Sequence, residues 1–378
     1  MRLDDLITAL AGIAPEANAG SWDRVGLQVG DPAADVAAGM LCIDLTPAVA
    51  AEAAAAGCGL VVAYHPPVFE PLRSLRADAG WAQRRVWDCV HAHLAVYSPH
   101  TALDAVRGGV CDWLAERCGA GVSVPLEPAA AAGGAAAGGY KLVVFVPAEA
   151  EAALRSALWA AGAGAQGRYD RCWFSSAGEG GFRPLEGAEP AIGAVGEQAT
   201  VAERRVEVLV PGTRLSAVLA ALRAAHPYEE PAFDLLRREP EPADPATQPG
   251  AGRLLTLAEP ATLAELAGRV GRALGVPLKV GGDPGLRVGT VAACPGSGGK
   301  LFEGVDADLY LTGEMQHHQA LDLVQRGRGV VLGGHTNTER PYLPVYREKI
   351  RATAAGALRW EISEADAAPL RWDAAGAR

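Results

Sequence analysis

Two short stretches at opposite ends of the chain carry side chains that ligate metals. The first runs from Tyr64-His65-Pro66 to His100-Thr101-Ala102-Leu103-Asp104; the second is Gly334-His335-Thr336-Asn337-Thr338-Glu339. Imidazole nitrogens and carboxylate oxygens together suit a borderline divalent ion such as zinc, iron or manganese. His100 and Asp104 are four residues apart, as are His335 and Glu339. In the first turn of a helix that spacing turns both side chains the same way, with Thr101 and Thr336 as candidate caps. The same spacing also arises where a carboxylate at a helix start meets backbone amides. Glu314 and His318 repeat it, and with Tyr64 they are candidates for ligands or for partners of ligands. Only eight histidines occur, yet 65, 100, 317, 318 and 335 all fall beside expected strand ends. Pro66 and Pro67 stiffen the turn after His65, and Gly333-Gly334 permits close approach before His335. Pro295-Gly296-Ser297-Gly298-Gly299-Lys300 lacks the spacing of a phosphate-binding P-loop; an anion nest and a plain tight turn both fit it.

Elements must deliver these residues to one place. Residues 1–19 read as a helix with Leu3, Leu6, Ile7 and Leu10 on one side. A strand is expected from Ala38 to Asp44, then a helix capped by Thr46 or Asp44 and ended by Gly57-Cys58-Gly59. Leu60-Val61-Val62-Ala63 is a buried strand that presents Tyr64 and His65. A helix over 79–91 and a strand over 94–97 lead to His100. This alternation suggests parallel strands, whose carboxyl ends gather ligands. Residues 129–139 form an alanine-glycine joint. From Tyr140 the pattern changes: strands at 141–147, 172–174, 192–193 and 206–210, with helices at 149–161 and 215–225, fit a ferredoxin-like domain over 140–236. Residues 237–251 form a proline-rich exit linker. An α/β pattern then resumes, with a helix at 263–274 and strands at 287–292, 308–311 and 330–332. The runs ending in His65 and in His335 echo one another weakly, as two similar halves would.

At 378 residues, two or three domains are the default. The chain is 49% hydrophobic and 21% charged, with a net charge of -10 and a pI near 5.4. That acidity disfavours a nonspecific hold on nucleic acid or anionic lipid. A nucleic-acid partner is not expected, nor is a membrane one, since no apolar run is long enough to cross a bilayer. Seven cysteines without a CxxC pair read as free thiols in a reducing compartment; with no signal-peptide pattern at Met1-Arg2-Leu3-Asp4-Asp5, the expected location is cytoplasmic.

Taken together, several segments resemble the GTP cyclohydrolase 1 type 2 homologue family across nearly the whole chain. They are Ser21-Trp22-Asp23-Arg24-Val25-Gly26-Leu27-Gln28-Val29-Gly30, Tyr64-His65-Pro66-Pro67, 100–104, Ser297-Gly298-Gly299-Lys300, Thr312-Gly313-Glu314 and 334–339. Gly167–Cys172 and His226–Pro231 resemble the PII- or CutA-like insert of its long bacterial members. The resemblance implies two similar α/β halves, residues 1–128 and 252–378, forming one metal-binding domain around that insert. It implies a dinuclear centre, two divalent ions (Zn, Fe or Mn) per subunit, held by His65, Asp104, His335 and Glu339. Where many members have a further histidine ligand this chain has Tyr64, which ligates only as a phenolate, so the two ions are expected to be held unequally. His100 matches a family histidine near the ions and is the candidate proton carrier. A homohexamer, a trimer of dimers with the insert over the ring opening, is also implied. The expected function is metal-dependent hydrolysis of a nucleotide or small phosphorylated metabolite. The alternative is a noncatalytic metal-binding regulator, chaperone or metal-handling assembly.

Overall fold

The structure is a computed structural model and describes residues 1–129, 139–238 and 244–370. The chain divides into two compact units, Met1–Ala130 with Ala243–Arg378, and Ala131–Pro242. The expected alanine-glycine joint lies mostly outside the described residues, as does 239–243 of the expected exit linker.

The larger unit holds two mixed sheets. In the first, strand Gly26–Val29 pairs antiparallel with Ala95–Ser98, followed in parallel by Leu60–Ala63, Ala38–Cys42 and Arg359–Ile362. Ala38–Cys42, Leu60–Ala63 and Ala95–Ser98 are buried along their whole length, which is why they read as continuous apolar runs rather than alternating ones. In the second sheet Lys279–Gly281 pairs antiparallel with Gly329–Leu332. Leu309–Glu314 and Arg287–Ser297 follow in parallel, then Arg253–Thr262 and Gly121–Val124, both antiparallel.

The two sheets share one chain order: an antiparallel edge strand, then three parallel strands added back towards it. Two similar α/β halves are thus present, and each lends the other a strand. Gly121–Val124 precedes the smaller unit yet completes the second sheet, and Arg359–Ile362 completes the first. This order corrects the sequence echo. Leu60–Ala63 corresponds to Leu309–Glu314, and Ala95–Ser98 corresponds to Gly329–Leu332. His335 is therefore the counterpart of His100, not of His65.

Local chemistry sets the helix ends. Helix Leu3–Ile13 buries Leu3, Leu6 and Leu10 and stops before Pro15; Glu16–Asn18 form a separate 3-10 turn, so the expected helix over 1–19 is shorter. Thr46, not Asp44, caps helix Pro47–Ala55 by accepting from Val49 N. Thr262 and Glu265 form a reciprocal capping box on Leu263–Leu274, which Gly275 ends at φ 68°. The fully buried Arg253 binds Asp112 (2.5 Å) and the Ala105 and Val106 carbonyls, tying helices His100–Ala105 and Val110–Glu116 to the second sheet. Gly250–Ala251, expected as linker, pairs with Glu127–Pro128.

The smaller unit runs Tyr140–Pro147, helix Glu151–Ala160, Phe174–Phe182, Ala199–Val210, helix Leu215–Ala225 and Phe233–Arg237. Its four strands are antiparallel, in the spatial order fourth, first, third, second. That is the ferredoxin-like arrangement. Leu142, Val144, Val146, Val206, Val208 and Val210 pack against Leu154, Leu158, Val218 and Leu222. The expected strand at 192–193 is absent. Those residues lie in a bend where Gly193 takes φ 84°, and the strand begins at Ala199.

Candidate metal centre

Strand ends of the larger unit deliver His65, His335 and Glu339 to one point. One ligand atom from each lies within 4.8 Å of the others. His65 Nε2 stands 3.4 Å from Glu339 Oε2, and His335 Nε2 stands 3.5 Å from Glu339 Oε1. The His65 and His335 rings meet at 5.4 Å between centroids. Glu339 is only 3% exposed, and its Oε2 is buried with no hydrogen-bond partner. Its ion pair with His65 Nε2, at 3.4 Å, is too long for a good hydrogen bond, and a buried carboxylate oxygen without one is costly. Two imidazoles and one carboxylate are a donor set that suits zinc and its neighbours, and an ion between them would satisfy that oxygen. The residues fit a metal.

His335 and Glu339 do not sit on an α-helix. Thr336–Thr338 is a 3-10 turn, because Thr338 N and Oγ1 both donate to the His335 carbonyl. Glu339 N bonds instead to Thr336 O. Thr336 makes no capping bond; Thr338 does the anchoring, its Oγ1 also accepting from Gly296 N at 2.9 Å. Gly296 backs the site so closely that a Cβ there would stand 2.6 Å from Glu339 Oε1 and 3.0 Å from His335 Nε2. The amides of Gly296 and Gly298 are spent on Thr338 and Thr312, so the 295–300 loop is a packing turn and those amides are not open to an anion.

Asp44, at the end of Ala38–Cys42, accepts from His65 Nδ1 at 2.9 Å. A carboxylate behind a ligating histidine fixes its ring and raises its basicity. Burial alone would lower the His65 pKa, but Asp44 and Glu339 together raise it to about 10. Asp23 orients the His100 ring in the same way. Its Oδ1 is 2.7 Å from His100 Nδ1, and its Oδ2 accepts from Thr101 N and Oγ1. Against the opposing effect of burial, these bonds and the charge of His100 hold the Asp23 carboxyl down at about 2. Thr101 therefore serves Asp23 and not the helix end. The grip holds His100 at φ 26°, a backbone region that non-glycine residues rarely enter. Among the described residues no hydrogen bond engages His100 Nε2.

Asp104 lies beside the trio but outside the group within 4.8 Å. Its Oδ1 accepts from Tyr64 Oη at 2.5 Å, and burial pushes its carboxyl up to about 6. Burial, Asp104 and Glu339 push the Tyr64 phenol well above its ordinary value. The Tyr64, His65 and His100 rings stand 5.1–5.6 Å apart, and Trp22 meets His100 at 6.1 Å. Glu314 Oε2 is 3.6 Å from His335 Nδ1. His318 is exposed at the start of helix His317–Gln325 with its ring against His317, and no described contact joins it to Glu314 or to the trio.

Asp23 and Asp44 are the functional residues that spacing did not single out. They precede their histidines by 77 and 21 residues. Asp23 did fall inside the 21–30 motif.

Known proteins match this chain over nearly its full length. A "GTP cyclohydrolase 1 type 2 homolog" of Mycobacterium leprae is 36% identical over 94% of this chain and 92% of its own. One of Bacillus subtilis is 37% identical over 87% of each chain. NIF3-like protein 1 of Rattus norvegicus is 34% identical, covering 98% of this chain and 93% of its own. The crystal structure of a Bacillus cereus protein related to NIF3 aligns over 99% of both chains at a TM-score of 0.66 and 30% identity. Staphylococcus aureus protein SA1388 shares the fold, with a TM-score of 0.76 over 99% of both chains at 22% identity. The family model Duf34/NIF3 (NGG1p interacting factor 3) matches residues 1–369, and the chain belongs to that family.

Proposed function

We propose that this protein binds two divalent ions per chain and hydrolyses a nucleotide or small phosphorylated metabolite. One observation carries the reading: His65, His335 and Glu339 converge around a buried carboxylate oxygen that has no other partner. They hold the first ion. Asp104 and Tyr64 hold the second, more weakly, because a buried phenol bonded to a carboxylate is a poor ligand. Bound there, zinc, iron or manganese would supply Lewis acidity and a lowered pKa for water. His100, oriented through Nδ1 by Asp23, leaves Nε2 to take or give a proton at the reacting oxygen. Trp22, exposed beside His100, borders the mouth. The chain assembles as a homohexamer, a trimer of dimers, and its ferredoxin-like unit is a PII/CutA-like insert.

Elemental analysis of protein purified without chelator tests the ions. Metal retained by an Asp104→Ala, Glu339→Ala double variant refutes the ligand set. A screen of the metal-loaded protein against nucleotides and phosphoesters, with Glu339→Ala as control, tests the chemistry. Metal without turnover shifts the reading to a noncatalytic metal-handling or regulatory assembly. Light scattering with sedimentation velocity tests the assembly; a mass of one or two chains with metal bound refutes it.

No helix among the described residues is long and apolar enough to cross a membrane.

A further inference from the structure

The segment after Arg359–Ile362 reaches back under the candidate metal centre. Ser363 N donates to Leu41 O at 2.9 Å, extending the pairing with Ala38–Cys42. Glu52 then fastens the next turn, bonding to Ser363 Oγ, Glu364 N and Ala365 N. Asp366 comes next. Its side chain is 1% exposed, so its carboxylate is held inside the protein.

Each bond of that carboxylate goes to a segment that carries part of the centre. Oδ2 accepts from Ile43 N at 2.7 Å, and Oδ1 lies 3.3 Å from Asp44 N. Ile43 O in turn accepts from His65 N at 3.0 Å, and the Asp44 carboxylate meets His65 Nδ1. The backbone of 43–44 is thus clamped between Asp366 on one side and His65 on the other. The Arg340 guanidinium meets Asp366 at 3.1 and 3.2 Å through its two terminal nitrogens, and Arg340 directly follows Glu339. One buried carboxylate therefore joins the Asp44–His65 arm to the Glu339 arm. Those arms lie almost three hundred residues apart in sequence.

Burying a carboxylate is expensive unless its oxygens are fully engaged. Here two backbone N–H groups and a two-pronged arginine engage it, and the fork geometry fixes direction as well as distance. A site whose ligands must be right to about 0.2 Å gains from such a clamp. We infer that Asp366 is a positioning residue that sets the separation of His65 and Glu339 by joining the 43–44 turn to Arg340. The inference rests on the metal-binding reading of those residues.

The test uses the full chain and Co2+ as the probe ion, read by its visible spectrum and by competition with a chromogenic chelator. Asp366→Ala removes the whole clamp. Asp366→Asn keeps an acceptor for Ile43 N but loses the ion pair, and Arg340→Gln loses it from the partially exposed side. Glu52→Gln is the control: it loosens the same segment and touches neither Asp44 nor Arg340. Expected are a loss of Co2+ affinity of about tenfold or more for Asp366→Ala, smaller losses for Asp366→Asn and Arg340→Gln, and an altered Co2+ spectrum in each. Glu52→Gln should keep the wild-type spectrum and affinity. Should Asp366→Ala fail to fold, the other two variants decide by the same readings. Unchanged affinity and spectrum in the Asp366 and Arg340 variants overturn the inference alone, as does an equal loss in Glu52→Gln. Absence of Co2+ binding by the unsubstituted protein overturns the metal reading and this inference with it.

Discussion

Gly296 offers a direct test of the centre's geometry, because the structure supplies its own control. Alanine at 296 meets two costs. The first is backbone: φ is 62° there, and a left-handed conformation costs a non-glycine residue about 1 kcal/mol. The second is contact: the new Cβ would lie 2.6 Å from Glu339 Oε1, where ordinary contact begins at 3.4 Å. Gly296 cannot retreat easily, since its N–H is held by Thr338 Oγ1 and its carbonyl by Thr312 Oγ1. The carboxylate must therefore withdraw by about 0.8 Å, the gap between those distances, several times the roughly 0.2 Å that metal–ligand distances allow. Gly304→Ala carries the first cost without the second: φ is 78° and nothing lies within 4 Å of the Cβ position. Thermal unfolding of the metal-free proteins should show Gly304→Ala destabilised by about 1 kcal/mol and Gly296→Ala by more. Chelator competition should show wild-type metal affinity for Gly304→Ala and a loss of at least about 100-fold, ~2.8 kcal/mol, for Gly296→Ala. If Gly296→Ala binds metal as the wild type does, Glu339 and His335 do not ligate from the positions described.

Three further outcomes are expected. In the metal-free protein His65 keeps its proton up to about pH 10 and must lose it to ligate, so affinity should rise about tenfold per pH unit from pH 7 to 9. The weaker ion's affinity should rise with pH below about 6, where Asp104 is protonated, and chelator competition showing no dependence of the tighter ion's affinity between pH 7 and 9 would contradict the His65 reasoning. Calorimetric titration of metal-free protein should give one tight and one weak step, with Tyr64→Phe changing only the weak one; two equal, tight steps unaffected by that substitution would rule out unequal sites. A fragment of residues 140–236 should fold alone around its own core, and an NMR spectrum without dispersed amide signals would count against it.

The elements that stood out in the sequence are those whose side-chain pattern alone defines them. Leu60–Ala63, Leu215–Ala225 and Leu263–Leu274 appear with the expected bounds because unbroken apolar runs and 3.6-residue periodicity report burial directly. Pairing across distance leaves no such mark. Nothing within Gly121–Val124 or Arg359–Ile362 says which half each strand completes, and Asp23 and Asp44 gain meaning only beside His100 and His65. The 335–339 turn was misjudged for a local reason. Thr336, three residues before Glu339, looks like a helix cap, yet it is Thr338 that spends its hydroxyl on the His335 carbonyl and tightens the turn.

The repeated topology shows how one scaffold came to hold two unlike histidines. His100 with Asp104 and His335 with Glu339 follow corresponding strands, yet their surroundings differ. After Ala95–Ser98 the chain enters a short α-helix, and Asp23 from a preceding turn seizes the imidazole Nδ1. After Gly329–Leu332 it enters a 3-10 turn backed by Gly296, and Glu339 is pressed inward against both His65 and His335. His65 then breaks the symmetry, because its counterpart strand ends in Glu314, which stays exposed behind His335. Three donors thus converge on the Glu339 side, while the His100 side keeps a ring nitrogen that no hydrogen bond among the described residues engages, next to a carboxyl that burial has made reluctant to ionise. On the proposed reading, the first side would grip the tighter ion, and the second would hold the weaker one with His100 beside it to carry the proton. That division follows from which loop packs behind each strand end, and it accounts for a chain with matched motifs having unmatched sites.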